Sequence, residues 1–282
     1  MVAFLYNTPL AMGLFQTAFS KKNRALLSEL VKTDFKLRYQ GSMVGYLWSL
    51  LRPLFMFAIL YVVFTKVFPL GKGIPHYPVY LFMGIILWNF FTEITSQGLG
   101  SIVGRGDLIR KISIPRWLII FSTSLNAVIN LGLNLIVLAV FMWMNNVVPM
   151  ASLAWLPLII LEIYLLSLGL AFFLSAAFVK FRDIQFIWEV LVQAGFYVTP
   201  ILYPLTQIKN VVYHKLIFMN PLAQAIQDAR HAIVSHDPVV ITIHSVFHGG
   251  WYRFIPYLLV VCIFVFGVTY FARRADSFAE DL

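Results

Sequence analysis

The stretch Gly104-Arg105-Gly106-Asp107-Leu108-Ile109-Arg110-Lys111-Ile112-Ser113-Ile114-Pro115-Arg116 decides the fold, because it is a polar interruption between two long apolar runs. Five of its thirteen residues are charged, in a chain where charged residues make up 12%. A charge at the centre of a hydrocarbon layer costs roughly 3 kcal/mol or more, so this stretch lies in water where one membrane span ends and the next begins. Its composition is that of a short helix. Asp107 caps or opens it, Leu108, Ile109 and Ile112 fall on one face, and Pro115 fixes where the next span starts. Two readings follow: an amphipathic helix on the cytoplasmic surface that contacts a partner, or an ordinary charged loop.

Outward from this stretch the chain is apolar. Its 282 residues are 60% hydrophobic and 16% aromatic, with mean hydropathy +0.82, a composition that no soluble domain of this size carries on its surface. Six apolar spans are expected, at 47–68, 79–102, 117–143, 153–179, 184–205 and 254–271. Each is near the ~20 residues that a helix needs to cross ~30 Å of hydrocarbon. Before them, residues 21–39 alternate Leu27, Leu30, Val31 and Phe35 with Lys21, Lys22, Arg24, Lys32, Lys36 and Arg38, the pattern of an interfacial helix with its cations toward lipid head groups. Cations crowd the segments on the N-terminal side of the membrane, including Arg105, Arg110, Lys111, Arg116, Lys180, Arg182, Arg273 and Arg274, so both termini are expected inside. Residues 1–19 lack the pattern of a cleaved signal peptide. The fold expected is therefore an all-α integral membrane protein, with a cytoplasmic N-terminus and interface helix over 1–46 and a six-span domain over 47–282.

Between the fifth and sixth spans, Asn220-Pro221 reads as an N-cap followed by proline at the first helical position. Leu222, Ala225, Ile226, Ala229 and Ile233 then continue one apolar face to about Val234. With Pro200 and Pro204 breaking the fifth span, this predicts outer re-entrant or gate helices.

The charge balance, +9 overall with pI ≈ 9.7, gathers at span ends and reads as topology, not as nucleic-acid binding. The single cysteine, Cys262, excludes an intrachain disulfide. No Gly-x-x-x-x-Gly-Lys-Ser/Thr loop is present, so the chain does not hold ATP by that device. His244 and His248 are four residues apart but lack the acidic neighbour of a metal site. Glu93, Glu162 and Glu189 fall inside spans and are functional candidates on that ground, though Glu189 lies only six residues past Asp183. Phe57, Tyr61, Phe64 and Phe68 form one stripe of about 16 Å along the first span, too long for an interfacial belt. Glu189, Gln193, Phe196, Tyr197 and Pro200 form a mixed face of the same kind on the fifth. Such faces either pack helices or line a path, and rings beside hydrogen-bonding groups suit a sugar.

Residues 39–48 with Pro53, Leu108-Ile109-Arg110-Lys111 with Pro115-Arg116, Phe181-Arg182-Asp183-Ile184, Pro200-Ile201-Leu202-Tyr203, Asn220-Pro221 and the closing Phe278-Ala279-Glu280-Asp281-Leu282 together resemble a known family. It is the permease subunit of ABC transporters that export lipid-linked polysaccharides such as O-antigen, capsule and teichoic acid. The resemblance implies a homodimer in the bacterial cytoplasmic (inner) membrane, working with two copies of a separate ATPase that carries the ATP and Mg. The cargo implied is a polyprenyl-linked glycan; no cofactor is expected on this chain. It further implies that Asp107, Leu108, Ile109, Arg110 and Lys111 belong to a coupling helix docking on the ATPase, with Arg182 and Asp183 in a second contact. Two rivals are a permease of the same fold exporting a drug or another lipid, and a membrane-embedded transferase, which needs an acid or histidine cluster not found in the sequence.

Overall fold

The computed structural model describes residues 20–39, 45–67, 74–111, 114–148, 151–234, 240–247, 250–275 and 278. Among them every regular element is helical. Helix α1 spans Lys21–Tyr39, with the boundaries that its charge and apolar periodicity predict. Its Leu27, Leu30 and Val31 are half-buried while Lys21, Lys22, Arg24, Lys32 and Lys36 are exposed. Phe35 and Arg38 have side chains outside the described set.

Among the described residues four helices are long and apolar enough to cross a membrane, at Tyr77–Ser101, Trp117–Met144, Ala151–Lys180 and Trp251–Arg274. Their α-helical parts are α3 (Tyr77–Ser101), α5 (Trp117–Met144), α6 (Leu156–Lys180) and α11 (Ile255–Arg274). Two further apolar helices are shorter. Helix α2, Trp48–Val62, widens into a π-helical turn at Val63–Val67, and α7 covers Ile184–Val198. The fifth span expected over 184–205 thus ends at Val198. Pro200 forces its predecessor Thr199 into extended backbone (φ −74°, ψ 133°), which stops the helix before the proline.

The other short elements are α4 (Gly106–Lys111), α8 (Val211–Phe218), α9 (Pro221–Ile233) and α10 (Ile243–Val246). Helix α4 sits at one end of the bundle, between α3 and α5, and Arg105 beside it reaches α1. Helices α8 to α10 lie toward the other end, between α7 and α11 in the chain.

The core is the meeting of α3 with α5 and α6, and of α6 with α11. Helices α6 and α11 touch backbone to backbone. A Cβ at Gly267 would run into the Gly169 carbonyl, and one at Gly169 would lie 2.5 Å from the Phe264 Cα. Without water to exclude inside lipid, such close approach is what holds helices together, and only glycine permits it here. Helix α7 is the opposite case, with no buried residue along its length. Its Phe186, Ile187, Val190, Leu191 and Val198 are all exposed on the single chain.

Candidate functional site

At the α4 end, three elements are clasped by one side chain. Arg105 forms an ion pair with Asp34 of α1, and donates to the Ser122 hydroxyl at 3.3 Å and the Ile119 carbonyl at 3.4 Å on α5. Ser122 also donates to Asp34 at 3.4 Å. The pair is only partly exposed, at 19% and 18%, so it is less screened than a surface ion pair. On α4 itself Asp107, Arg110 and Lys111 are exposed, Leu108 is half-buried and Ile109 packs against the core. Asp107 in the first turn and Arg110 and Lys111 in the last match the helix dipole at both ends. Ile112 lies outside the described residues. Arg182 and Asp183 are exposed in the turn joining α6 to α7, with Arg182 over the Phe178 ring at 5.2 Å.

At the opposite end α9 is anchored by a buried charge, Arg230. The Asn220 side chain caps the helix by accepting from the Leu222 N–H at 3.0 Å. The apolar face is buried as its periodicity predicts, and so is the polar one. Gln224, Gln227 and Arg230 are 0%, 1% and 0% exposed. Arg230 donates to the carbonyls of Tyr80 at 3.1 Å, Pro200 at 2.5 Å and Ile201 at 2.7 Å, and lies 3.7 Å from the centre of the Tyr80 ring. The fork of its guanidinium satisfies carbonyls freed where α7 breaks, which is why the break and the buried cation occur together. Gly84 leaves the room for it, since a Cβ there would meet the guanidinium.

The aromatic stripe divides. Phe57 is 6% exposed and stacks on Tyr61 at 5.6 Å, with Phe82 at 5.0 Å and Phe141 at 5.1 Å. Tyr61 and Phe64 are half-buried, and Phe68 lies outside the described residues. On α7, Glu189, Gln193 and Tyr197 are exposed, with Glu189 accepting from Gln185 at 3.0 Å. Phe196 meets Trp88 of α3 edge-on at 5.8 Å. Between α7 and the bundle opens an apolar hollow of ≈ 230 Å³, lined among others by Trp88, Trp188, Leu191, Gly195, Leu222 and Ile263.

A polar ladder that the sequence reading passed over runs down α5. Asn126, Asn130 and Asn134 are 4%, 5% and 7% exposed. Asn130 donates to Glu93 of α3 at 2.6 Å, as does Gln97 at 3.1 Å, so this intramembrane acid is held by amides. The signal was available, as three asparagines at i, i+4 and i+8 in an apolar run mark one face. Of the histidines, His76 and His244 are exposed, and His214 is half-buried, its Nε2 3.0 Å from the Leu205 carbonyl and 2.8 Å from that of Ile208. His236 and His248 lie outside the described residues. Among the described residues no group of three or more His, Cys, Asp or Glu could hold a metal ion.

The described residues thus form a bundle of apolar helices, with an amphipathic helix clasped at one end and a buried short helix at the other. Residues 25–234 match the family of ABC-2 type transporters, and the chain belongs to that family. It is 28% identical over 262 residues to the O-antigen export system permease protein RfbA of Klebsiella pneumoniae, covering 91% of this chain and 95% of that protein. To the protein of the same name from Myxococcus xanthus it is 29% identical over 214 residues, 76% of this chain and 82% of that one. With the polysialic acid transport protein KpsM of Escherichia coli it shares 21% over 212 residues, 75% and 82% of the two chains.

Proposed function

We propose that this chain is the permease subunit of an ATP-driven exporter that moves a polyprenyl-linked polysaccharide across the bacterial inner membrane. The observation that carries this is the likeness to O-antigen export permeases along nearly the whole of both chains. Two copies of the chain pair to enclose the path, each bound to a separate ATPase. With α2 and α7 the spans number six, both termini and α4 face the cytoplasm, and α1 is the interface helix seated on the six-span domain. Helix α4, through Asp107 to Lys111, and the Arg182–Asp183 turn take the push of the ATPase. The exposed charges of α4, held by the Arg105 clasp, support this assignment. Helices α8 to α10 form the outer gate. Tyr61, Phe64 and the Glu189–Gln193–Tyr197 face of α7, with Phe196 at its margin, meet the glycan, while Phe57 packs behind them. Rings with hydrogen-bonding neighbours match the apolar faces and polar edges of sugars.

The test is reconstitution. The purified chain alone is expected to hydrolyse no ATP, and to bind and couple the ATPase encoded beside it. Asp107→Lys and Arg110→Glu are expected to leave the fold intact and to lower export per ATP hydrolysed, since exposed charges contribute ~1 kcal/mol or less to stability. Hydrolysis by the chain alone, or full coupling in both variants, would sink the proposal.

A further inference from the structure

A second polar cluster joins α9 to two spans and plays no part in the reading above. Gln224 of α9 is completely buried. Its Nε2 donates to the Asp228 carboxylate at 2.6 Å and to the Tyr257 hydroxyl of α11 at 3.1 Å, and Tyr257 donates on to Asp228 at 3.3 Å. Glu162 of α6 faces the same cluster, with Asp228 and Gln224 the groups acting on its carboxyl. Three elements thus bring two carboxylates, an amide and a phenol together.

The hydrogen-bond inventory of this cluster is short by one donor. The amide nitrogen already donates to Asp228 and Tyr257 and the phenol to Asp228, and a carboxylate only accepts. Two buried acceptor oxygens, Oε1 of Glu162 and Oε1 of Gln224, have no partner. Two neighbouring carboxylates repel when both are ionised, and a buried acceptor left unpaired costs about 1–3 kcal/mol. A single added proton removes the repulsion and turns one acceptor into the missing donor.

We propose that Glu162, Asp228 and Gln224 form a proton-binding site, in which one proton held by the carboxyl pair lets Glu162 donate to the Gln224 amide oxygen and so ties α9 to α6. The proton belongs to the pair and not to either acid. Asp228, on α9 outside the spans, is pushed above the ordinary carboxylate range by burial, against the lowering pull of Gln224, the charge of His244 on α10 and the Tyr257 hydroxyl. The site's ligand is a hydron taken from the water on the α9 side. That its release frees an outer gate rests on the proposed function; the binding of the proton does not.

The experiment is infrared difference spectroscopy of the permease–ATPase complex in lipid nanodiscs, with thermal stability read in parallel from pH ~5 to pH ~9. At neutral pH the wild type is expected to show the carbonyl stretch of a protonated carboxyl, shifted in heavy water, and Glu162→Gln is expected to lack it. A proton bound more tightly in the folded state stabilises at low pH and is lost as pH rises through the pair's titration. Wild-type stability should therefore fall toward alkaline pH, whereas Glu162→Gln, whose amide supplies the donor permanently, should be flat and Glu162→Ala unstable throughout. Absence of the wild-type band, or its survival in Glu162→Gln, overturns the proposal. So does stabilisation by sodium at constant ionic strength, which would make the ligand a metal cation. These readouts do not depend on what the complex exports, so the site and the export assignment fail separately.

Discussion

At the scale of residues, Arg230 and Phe57 carry the clearest consequences. Arg230→Ala leaves the carbonyls of Pro200 and Ile201 without their donor, at about 1–3 kcal/mol each, and should lower the melting temperature in detergent. Arg230→Lys should fall nearly as far. An ammonium is a point charge that cannot span three carbonyls and a ring face as the planar fork does. Phe57→Ala empties a packed site between Phe82 and Phe141 and should cost about 3–5 kcal/mol. Tyr61→Ala and Phe64→Ala act on half-exposed rings and are expected to reduce export while changing stability far less; equal melting losses in all three would assign the whole stripe to packing. The stripe's periodicity was legible in the sequence. Its division was not, because which side of a helix meets α3 and α5 depends on residues far away in the chain. Arg230 was illegible for the same reason, since main-chain carbonyls are its partners and leave no mark in the sequence.

Elements were read more completely. Helix α1 begins and ends where the amphipathic pattern does, and α9 starts at the Asn220-Pro221 signal, because caps, prolines and periodicity act locally. The end of α7 required weighing Pro200 against the apolar run that continues past it. Element contacts were missed: nothing in the sequence pairs Asp34 with Arg105, which are 71 positions apart. This clasp predicts a double-mutant result. Asp34→Asn and Arg105→Gln should each weaken the seat of α1 on α5, and the two together should be non-additive by about 0.5–3 kcal/mol. If their melting losses simply sum, the clasp does not couple the two helices.

Over the whole molecule, four of the six apolar stretches expected to span the membrane appear among the described residues as helices long enough to do so, and those at 47–68 and 184–205 as shorter apolar helices. How they pack rests on contacts such as the Gly169–Gly267 crossing. Gly267→Val should push α11 off α6 and sharply lower the yield of folded protein, whereas Gly132→Val, at a glycine with nothing within 4 Å of an added Cβ, should be tolerated; equal yields would show that the crossing has slack. The anchoring of Arg230 also has a consequence for biosynthesis. Its acceptors at positions 80, 200 and 201 all precede it in the chain. A nascent chain that folds from its N-terminus has these carbonyls in place when α9 leaves the ribosome, so the cation meets waiting acceptors. Tyr257 emerges after α9, so its contact with Gln224 closes only once the cation is seated.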